Sequence, residues 1–407
     1  MFNKLQKSKY QGTILSILIP VTNRFINFAF YPIIYGNFDS VGFVEYNMFS
    51  SISFLLSIIL ELGIKQKILN HSNNQLNLNG YLLRIIYVSI FLAAIGLFTK
   101  FINFSNAHTS LFVLYLLAVA DASTNIMISS VILTSVLKSK DKKTYAIFTT
   151  FTFLFPAIIK LVTLYLIKID MNHFLILCIA VKLPIIIFGN YYVTKSFKML
   201  FTFWSNKQTY NFFDYYSTNV SLSLMTAAIA SIDKIFGLLI FSTKQMATYM
   251  ILIQVISFLN GISEQWILLH RIRIYNLLNR IDILNYLKIL RIVIILITFS
   301  TFLLTCAIDK FTRSNFFLTE LPLALLYCIA WFIYVVINFY VNYLHFNLRN
   351  YLKNHFFGLC IAATLFGILL LSKTFSVLYL GFIPAIGIAG IVILNLKTLE
   401  LNLSSNN

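Results

Sequence analysis

The chain has 407 residues, of which 59% are hydrophobic and 11% are charged, and its formal net charge is +18. Soluble proteins carry charge on roughly a quarter of their residues, so the composition excludes a predominantly soluble protein. The basic residues are scattered among short loops between apolar runs, which argues against a nucleic-acid-binding surface. Because a backbone in lipid must satisfy its own hydrogen bonds and the apolar runs do not alternate, we predict an all-α membrane protein.

The apolar runs predict about twelve transmembrane helices, each close to the roughly twenty residues that span a bilayer. They lie at 12–35, 43–64, 81–100, 110–137, 144–167, 173–193, 212–241, 246–269, 284–307, 320–343, 354–372 and 375–396. The basic start of the chain, Met1 to Tyr10, resembles a signal peptide, but the apolar stretch after it has no small-residue cleavage site. We therefore expect this stretch to be an uncleaved first helix.

Lys and Arg are distributed unevenly between the two sets of alternate loops. One set holds 21 of them and the other holds six. Because Lys and Arg accumulate in cytoplasmic loops, both termini of this multi-pass protein are predicted to be cytoplasmic, in a bacterial inner membrane. The outer loops are short and leave no room for an external catalytic domain.

The longest inner connection lies at the midpoint of the chain, at 195–211. Its interleaved Lys and aromatic residues are typical of a segment at the membrane interface. We expect a cytoplasmic interfacial linker here, joining an N-terminal lobe of six helices, 1–194, to a C-terminal lobe of six helices, 212–407.

The two halves of the chain resemble each other weakly. Tyr46 and Glu61 in the second predicted helix recur 203 residues later as Tyr249 and Glu264 in the eighth. The offset predicts an internal duplication with a pseudo-two-fold repeat, the way in which many transporters are built. Chance similarity between apolar helices is the alternative.

Four basic residues remain when those assigned to the loops and helix ends are set aside: Arg24, Lys160, Lys182 and Lys234. A charge at the bilayer centre costs about 2.5–3.5 kcal/mol even on the insertion scale, so these side chains need a hydrated cavity or a partner. The functional interpretation is a cationic cavity for the phosphate oxygens of a lipid-linked substrate, with Arg24 binding bidentately. The alternatives are structural pairing, for example of Arg24 with Asp121, and snorkelling of Lys234 to the outer interface.

Acidic residues within or near the helices are candidates for coupling transport to H⁺ or Na⁺. They are Asp121, Asp233, Glu61 and Glu264. Asp121 is the deepest, whereas Glu61 and Glu264 lie near cytoplasmic helix ends. For these two residues the alternative is pairing with neighbouring basic side chains at the membrane face.

Two prolines, Pro20 and Pro32, flank Arg24 in the first predicted helix. Proline removes a backbone hydrogen bond and bends a helix, so this helix is a candidate gate. Proline is also commoner in transmembrane helices than in soluble ones, which is the alternative explanation.

Sequence features of enzymes are sparse. The six His residues lie at loops and helix ends without metal-ligand spacing, and the four Cys residues fall in or beside apolar runs. Neither a GxSxG nucleophile motif nor a P-loop is present. We therefore expect no enzymatic activity, no metal and no cofactor.

Two segments resemble Wzx-type polysaccharide flippases, which belong to the MOP superfamily. The segment 33–64, IIYGNFDSVGFVEYNMFSSISFLLSIILELGI, contains a Tyr-Gly pair at 35–36, a short outer turn and an acidic-Leu-Gly element at 61–63. The segment 231–254, SIDKIFGLLIFSTKQMATYMILIQ, places an Asp-Lys pair and Tyr249 in register with that family.

The resemblance implies the MATE-like fold, in which two six-helix bundles form a V around a central cavity. It implies that the chain moves undecaprenyl-diphosphate-linked oligosaccharide repeat units from the cytoplasmic to the periplasmic leaflet by alternating access, in O-antigen (lipopolysaccharide) or capsule biosynthesis. Arg24, Lys160, Lys182 and Lys234 are the candidates for the cationic cavity of that family. Association with polymerase and chain-length machinery is a further expectation. The first helix has no acidic residue, so the cation-coupling site of many MATE exporters does not carry over.

Two other functions remain open from the sequence. A polytopic repeat-unit polymerase would be an enzyme of similar size, but such enzymes typically carry a large periplasmic loop. A MATE-type small-molecule exporter of cations would favour an acidic cavity, whereas bases outnumber acids in these helices.

Overall fold

The computed structural model is helical, with short connecting turns, over the residues that it describes. These are 2–61, 64, 68, 78–98, 109–138, 142–194, 218–237, 240–247, 249–251, 253–254, 303, 348–372, 380, 383–384, 386–391 and 393–394. No strand occurs among them, in agreement with the predicted all-α class. The linker 195–211, Glu264 and nearly all of the predicted helices 284–307 and 320–343 lie outside the described residues.

The main helices are defined here in chain order. They are α1 (Phe2–Glu61), α2 (Leu78–Gly96), α3 (Leu111–Ile126), α4 (Thr134–Lys138), α5 (Lys142–Leu166), α6 (Met171–Ala180), α7 (Leu183–Thr194), α8 (Thr218–Phe236) and α9 (Leu348–Ser372). A π-helical segment, Met127–Leu133, joins α3 to α4. Each of these helices lies on a position where the sequence predicts one.

Four helical stretches among the described residues are long and apolar enough to cross a membrane. They are Ile33–Glu61, Leu111–Val136, Ile147–Leu166 and Met171–Val193. They fall on the second, fourth, fifth and sixth predicted helices. Large apolar side chains on them are exposed, including Phe54, Ile158 and Phe188, which is the surface expected of helices whose solvent is lipid. The chain is a membrane protein.

Helix α1 consists of two helices that join at Asp39. The backbone there is non-helical, with φ 59° and ψ −166°, and the Asp39 carboxylate accepts hydrogen bonds from the amides of Val41 and Gly42. The rings of Phe30 and Tyr46 lie 6.1 Å apart, although sixteen residues of straight helix would span about 24 Å. The chain therefore reverses direction at Asp39. The predicted gap at 36–42 is real but shorter than expected, because one residue ends the first helix and caps the next.

The fourth and sixth helices, predicted at 110–137 and 173–193, are both irregular. The π-helical segment interrupts the fourth helix, and the sixth helix breaks between α6 and α7. The break has a local cause, since Pro184 has no amide hydrogen to continue the ladder. Before it, the amide of Lys182 bonds to the carbonyl of Ile179, three residues back, at 3.0 Å.

The two irregular elements pack against each other. A Cβ atom added to Gly189 of α7 would lie 2.6 Å from Cγ2 of Ile132 in the π-helical segment. Ile128, Leu133 and Ile185 form a buried cluster at the same contact. The glycine thus permits a backbone approach of the kind that small residues allow between membrane helices.

The chain divides into two compact units, Met1–Leu224 and Met225–Asn407. Within the first unit, α3 packs against α1 and α2, and α5 packs against α1. Within the second unit, α9 and the helical stretch 386–391 approach each other closely through Gly358 and Gly387.

The same helix-capping pattern occurs at positions 203 residues apart, one in each unit. Asp39 caps the helix that contains Tyr46. In the second unit the Ser242 hydroxyl accepts a hydrogen bond from the amide of Gln245 at 3.4 Å, and Ser242 leads into the helix that contains Tyr249. The offset of the two caps equals the offset that the sequence suggested for the two tyrosines.

Candidate functional site

A cluster of polar and charged side chains lies in the interior of the first unit. Asp121 and Asn125 are four residues apart on α3 and therefore share one face of the helix. Ser53 of α1 and Lys182, at the break between α6 and α7, complete the cluster. Asp121 lies eleven residues beyond the N-cap Ser110, or about 16 Å along the helix, near the middle of a bilayer core.

The Asp121 carboxylate accepts hydrogen bonds from three side chains. Ser53 Oγ donates to Oδ2 at 2.6 Å, and Asn125 Nδ2 donates to the same oxygen at 3.0 Å. Lys182 Nζ donates to Oδ1 and also to the Asn125 Oδ1 atom at 2.8 Å. Only 12% of the Lys182 side chain and 8% of the Asp121 side chain are exposed. Full pairing of this kind is what makes a buried ion pair tolerable.

A second ammonium lies near this ion pair. Lys160 of α5 is half-buried and lies close enough to Lys182 for the two charges to repel each other. It also interacts electrostatically with Cys178 and Tyr31. No salt bridge to Lys160 occurs among the described residues. The cluster thus brings two ammonium groups together with one carboxylate.

Aromatic side chains surround this region of the first unit. Tyr46 lies close enough to Asp121 and Cys178 to interact with both electrostatically, and its ring is 5.9 Å from that of Phe174. The Phe174 ring in turn lies 5.9 Å from Phe30. These rings place apolar surface beside the charged groups, and an apolar surrounding strengthens electrostatic interactions.

A second buried carboxylate joins three elements near the predicted outer end of the first unit. Glu45, 5% exposed, accepts hydrogen bonds from the Thr109 amide at 2.9 Å and the Thr109 hydroxyl at 3.2 Å. The same hydroxyl lies 2.9 Å from the Asn172 Oδ1 atom. Glu45 therefore fixes the start of α3 against α1 and α6.

The turn before α6 is exposed and lies outside the four spanning stretches. Asp170 caps this helix and bonds to His173. The hydrogen bond from the His173 side chain holds the pKa of the Asp170 carboxyl below its ordinary value of 3.8. The Asp170 carboxyl is therefore ionised near neutral pH, and it places a negative charge at the N-terminus of α6, where the helix dipole favours one.

In the second unit, a buried carboxylate binds a tyrosine. Asp233 of α8 and Tyr249 are both fully buried, and the Tyr249 hydroxyl donates to Asp233 Oδ2. Among the described residues, Oδ1 of Asp233 has no hydrogen-bond partner. The neighbouring Lys234 is half-buried. Asp233 is inside the unit, and its predicted position near the outer interface of the membrane stays a prediction.

The remaining predicted site residues are placed only in part. Arg24, Pro20 and Pro32 lie on the helical backbone of α1, and their side chains are outside the described set. Glu61, half-buried, is the last residue of α1. Of the predicted cationic and acidic residues, the described structure brings together Lys160, Lys182 and Asp121. The proposed roles of all of them remain predictions.

Sequence reasoning missed four residues of these polar networks. Ser53 and Asn125 carry no formal charge, although the spacing of Asn125 from Asp121 was a usable signal. Glu45 lies in the predicted helix 43–64 but was not among the candidate acidic residues. Arg84 was counted in a cytoplasmic loop, whereas it lies within α2 and is 8% exposed.

Comparison with models of known protein families found no match, and comparison with curated proteins found no significant match. Among the described residues, no group of three or more His, Cys, Asp or Glu side chains is placed to hold a metal ion. Among the described residues, the charged groups of this site are the ion pair of Lys182 with Asp121 and the nearby ammonium of Lys160.

Proposed function

We propose that this chain is a Wzx-type flippase that moves undecaprenyl-diphosphate-linked oligosaccharide repeat units across the bacterial inner membrane. The proposed architecture has twelve helices in two six-helix lobes that enclose a central cavity, with both termini in the cytoplasm. The diphosphate enters the cavity from the cytoplasm, and the polyprenyl chain stays in lipid. The chain performs no covalent chemistry, and alternating access exposes the substrate to the periplasmic leaflet.

One observation carries the proposal: two lysines, Lys182 and the half-buried Lys160, lie near a single carboxylate in the first unit. Lys182 is bound to Asp121, so Lys160 supplies the positive charge that this carboxylate does not neutralise. Excess charge on a membrane helix is costly, and a diphosphate offers several oxygens that bind ammonium through short, strong hydrogen bonds. Arg24 and Lys234 are proposed to add further positive charge to the same cavity.

The excess of buried positive charge also bears on the choice between substrate classes. An organic cation would be repelled by Lys160, whereas an anionic head group would be attracted to it. A repeat-unit polymerase would need groups that transfer a glycosyl chain, such as paired free carboxylates. In the first unit, the buried Asp121 is bound to Lys182 and the buried Glu45 to Thr109.

The two-lobe architecture is supported by the repeated geometry. Asp39 and Ser242 cap helices at an offset of 203 residues, and each helix carries a tyrosine that reaches back to the preceding helix. Tyr46 contacts Phe30, and Tyr249 contacts Asp233. Phe30 and Asp233 are again 203 residues apart. A repeated helix pair of this kind is typical of transporters that arose by duplication.

The proposal is tested in a deletion strain that carries plasmid copies of the gene. Arg24→Ala is expected to abolish surface polysaccharide while the protein remains inserted, with lipid-linked repeat units accumulating on the cytoplasmic side. Lys168→Ala, at an exposed position outside the helices, is the control and should give normal polymer.

Two outcomes would contradict the proposal. If cells that carry Arg24→Ala make normal surface polysaccharide, the assignment of a cationic cavity is wrong. Repeat units that reach the periplasmic leaflet in the deletion strain but stay unpolymerised would identify a polymerase instead.

A further inference from the structure

Two oxygen atoms bind the ammonium of Lys182 inside the first unit, Oδ1 of Asp121 and Oδ1 of Asn125. The Ser53 hydroxyl and the Asn125 amide nitrogen donate to the other carboxylate oxygen of Asp121, at 2.6 and 3.0 Å, and so hold the carboxylate in place. Oxygen ligands of this type suit hard cations. The set carries one formal negative charge, which matches a monovalent ion.

We propose that the side-chain oxygens of Asp121 and Asn125, with Ser53 holding the Asp121 carboxylate, form a binding site for one monovalent cation, and that the ammonium of Lys182 fills this site as a tethered ion. The first unit then needs no inorganic cation at this position. The inference concerns stability and binding, and it stands independently of the proposed transport activity.

Three features of the structure hold the ammonium in place. Lys182 Nζ donates to both Asp121 Oδ1 and Asn125 Oδ1, and its side chain is 12% exposed. The residue lies at the break between α6 and α7, where Pro184 ends the regular ladder. A lysine that left this site would leave a buried carboxylate without its counter-charge, which is strongly unfavourable.

The proposal gives Lys182 and Lys160 different roles. Lys182 becomes a positioning residue that ties the break of the sixth helix to α3 and α1. Lys160, which has no salt bridge among the described residues, remains the ammonium that an anionic ligand meets. Truncating Lys182 should therefore create a vacant cation site, whereas truncating Lys160 should not.

The experiment measures thermal unfolding of the purified full-length chain in detergent. The base buffer contains choline chloride, whose cation is too large for the site, and methylammonium chloride or NaCl is then substituted for it. Wild-type protein is expected to melt at the same temperature in all three salts. Lys182→Ala should melt at a lower temperature in choline and recover saturably in methylammonium, by roughly 5 °C when the cation is at about 100 times its Kd.

Two controls separate this site from a general salt effect. The double variant Lys182→Ala with Asp121→Asn should show no recovery in methylammonium, because the site has lost its charge. Lys160→Ala should respond to methylammonium no more than the wild type does. If Lys182→Ala cannot be purified in choline, extraction in methylammonium chloride replaces the melting test, and folded protein is expected only from that extraction.

The proposal is overturned by either of two results. One is a Lys182→Ala protein whose stability or recovery is the same in choline, sodium and methylammonium. The other is equal stabilisation of the single variant and of the double variant, which would place the cation elsewhere.

Discussion

At the scale of single residues, this molecule holds charged side chains away from water, and the loss of their hydration costs free energy. Lys182 and Asp121 meet it by sharing one hydrogen-bond network with Asn125 and Ser53. Removing one partner of such a buried pair typically costs about 3–5 kcal/mol, because the other charge is left uncompensated.

Asp233 and Tyr249 allow a test of a buried polar contact in the second unit. Tyr249→Phe removes the hydroxyl that donates to the buried carboxylate, so we expect a loss of about 1–3 kcal/mol in the free energy of unfolding. The measurement is the midpoint of denaturant unfolding in detergent. Tyr165→Phe is the matched control, since Tyr165 is 85% exposed, and it should be neutral. Equal midpoints for wild type and Tyr249→Phe would mean that the hydroxyl does not stabilise Asp233.

The sequence identified the charged members of the site but not their pairing. Asp121 and Lys182 stand out because each is a charge within an apolar run. Their partnership joins positions 61 residues apart, and such a contact depends on which helices are neighbours. Arg24 was the example given of a structural partner for Asp121, and the described structure shows Lys182 as a partner, while the Arg24 side chain lies outside the described residues. Ser53 and Asn125 were missed because uncharged polar residues are common in membrane helices.

At the scale of elements, the lengths and positions of the helices could be predicted and their irregularities could not. The apolar runs of the sequence indicate which segments are surrounded by lipid, and they predicted the position of every main helix among the described residues. The π-helical segment and the break at Lys182 depend on individual hydrogen bonds. Pro184 was visible as a helix breaker, but a proline in the first turn of α7 is compatible with a helix start as well as a kink.

The close approach of two helices in the second unit yields a prediction with an internal control. A Cβ atom at Gly358 of α9 would lie 2.4 Å from Cγ1 of Ile391 and 2.9 Å from the carbonyl oxygen of Gly387. Gly358→Ala should therefore force the helices apart and cost about 1–3 kcal/mol. At Gly367 on the same helix nothing lies within 4 Å of the added atom.

Gly367→Ala is expected to be neutral or stabilising by up to about 1 kcal/mol, because alanine favours helix over glycine. Thermal unfolding of the two variants in detergent, side by side with wild type, gives the comparison. If Gly358→Ala is as stable as Gly367→Ala, the close packing of α9 does not contribute to stability.

At the scale of the whole molecule, the account rests on two units with a shared pattern and on an interior that carries excess positive charge. The sequence predicted the duplication from two tyrosines and two glutamates, and the caps at Asp39 and Ser242 recur at the same offset. The packing order of the helices within the first unit was beyond the sequence, because apolar helices of similar composition can pack in many orders. The predicted orientation of the chain in the membrane relies on the uneven distribution of Lys and Arg between alternate loops.

The most direct test of the central claim is transfer of a lipid diphosphate between leaflets. Purified protein is reconstituted into liposomes with a fluorescent undecaprenyl-diphosphate oligosaccharide, and a membrane-impermeant quencher is added outside. Wild type should bring the lipid of the inner leaflet to the quencher. Lys160→Met should slow this transfer about tenfold or more, since a lost charged hydrogen bond is worth roughly 1.5–3 kcal/mol. The exposed Lys168→Met should transfer normally. Wild-type liposomes that protect the inner leaflet as completely as protein-free liposomes would contradict the account.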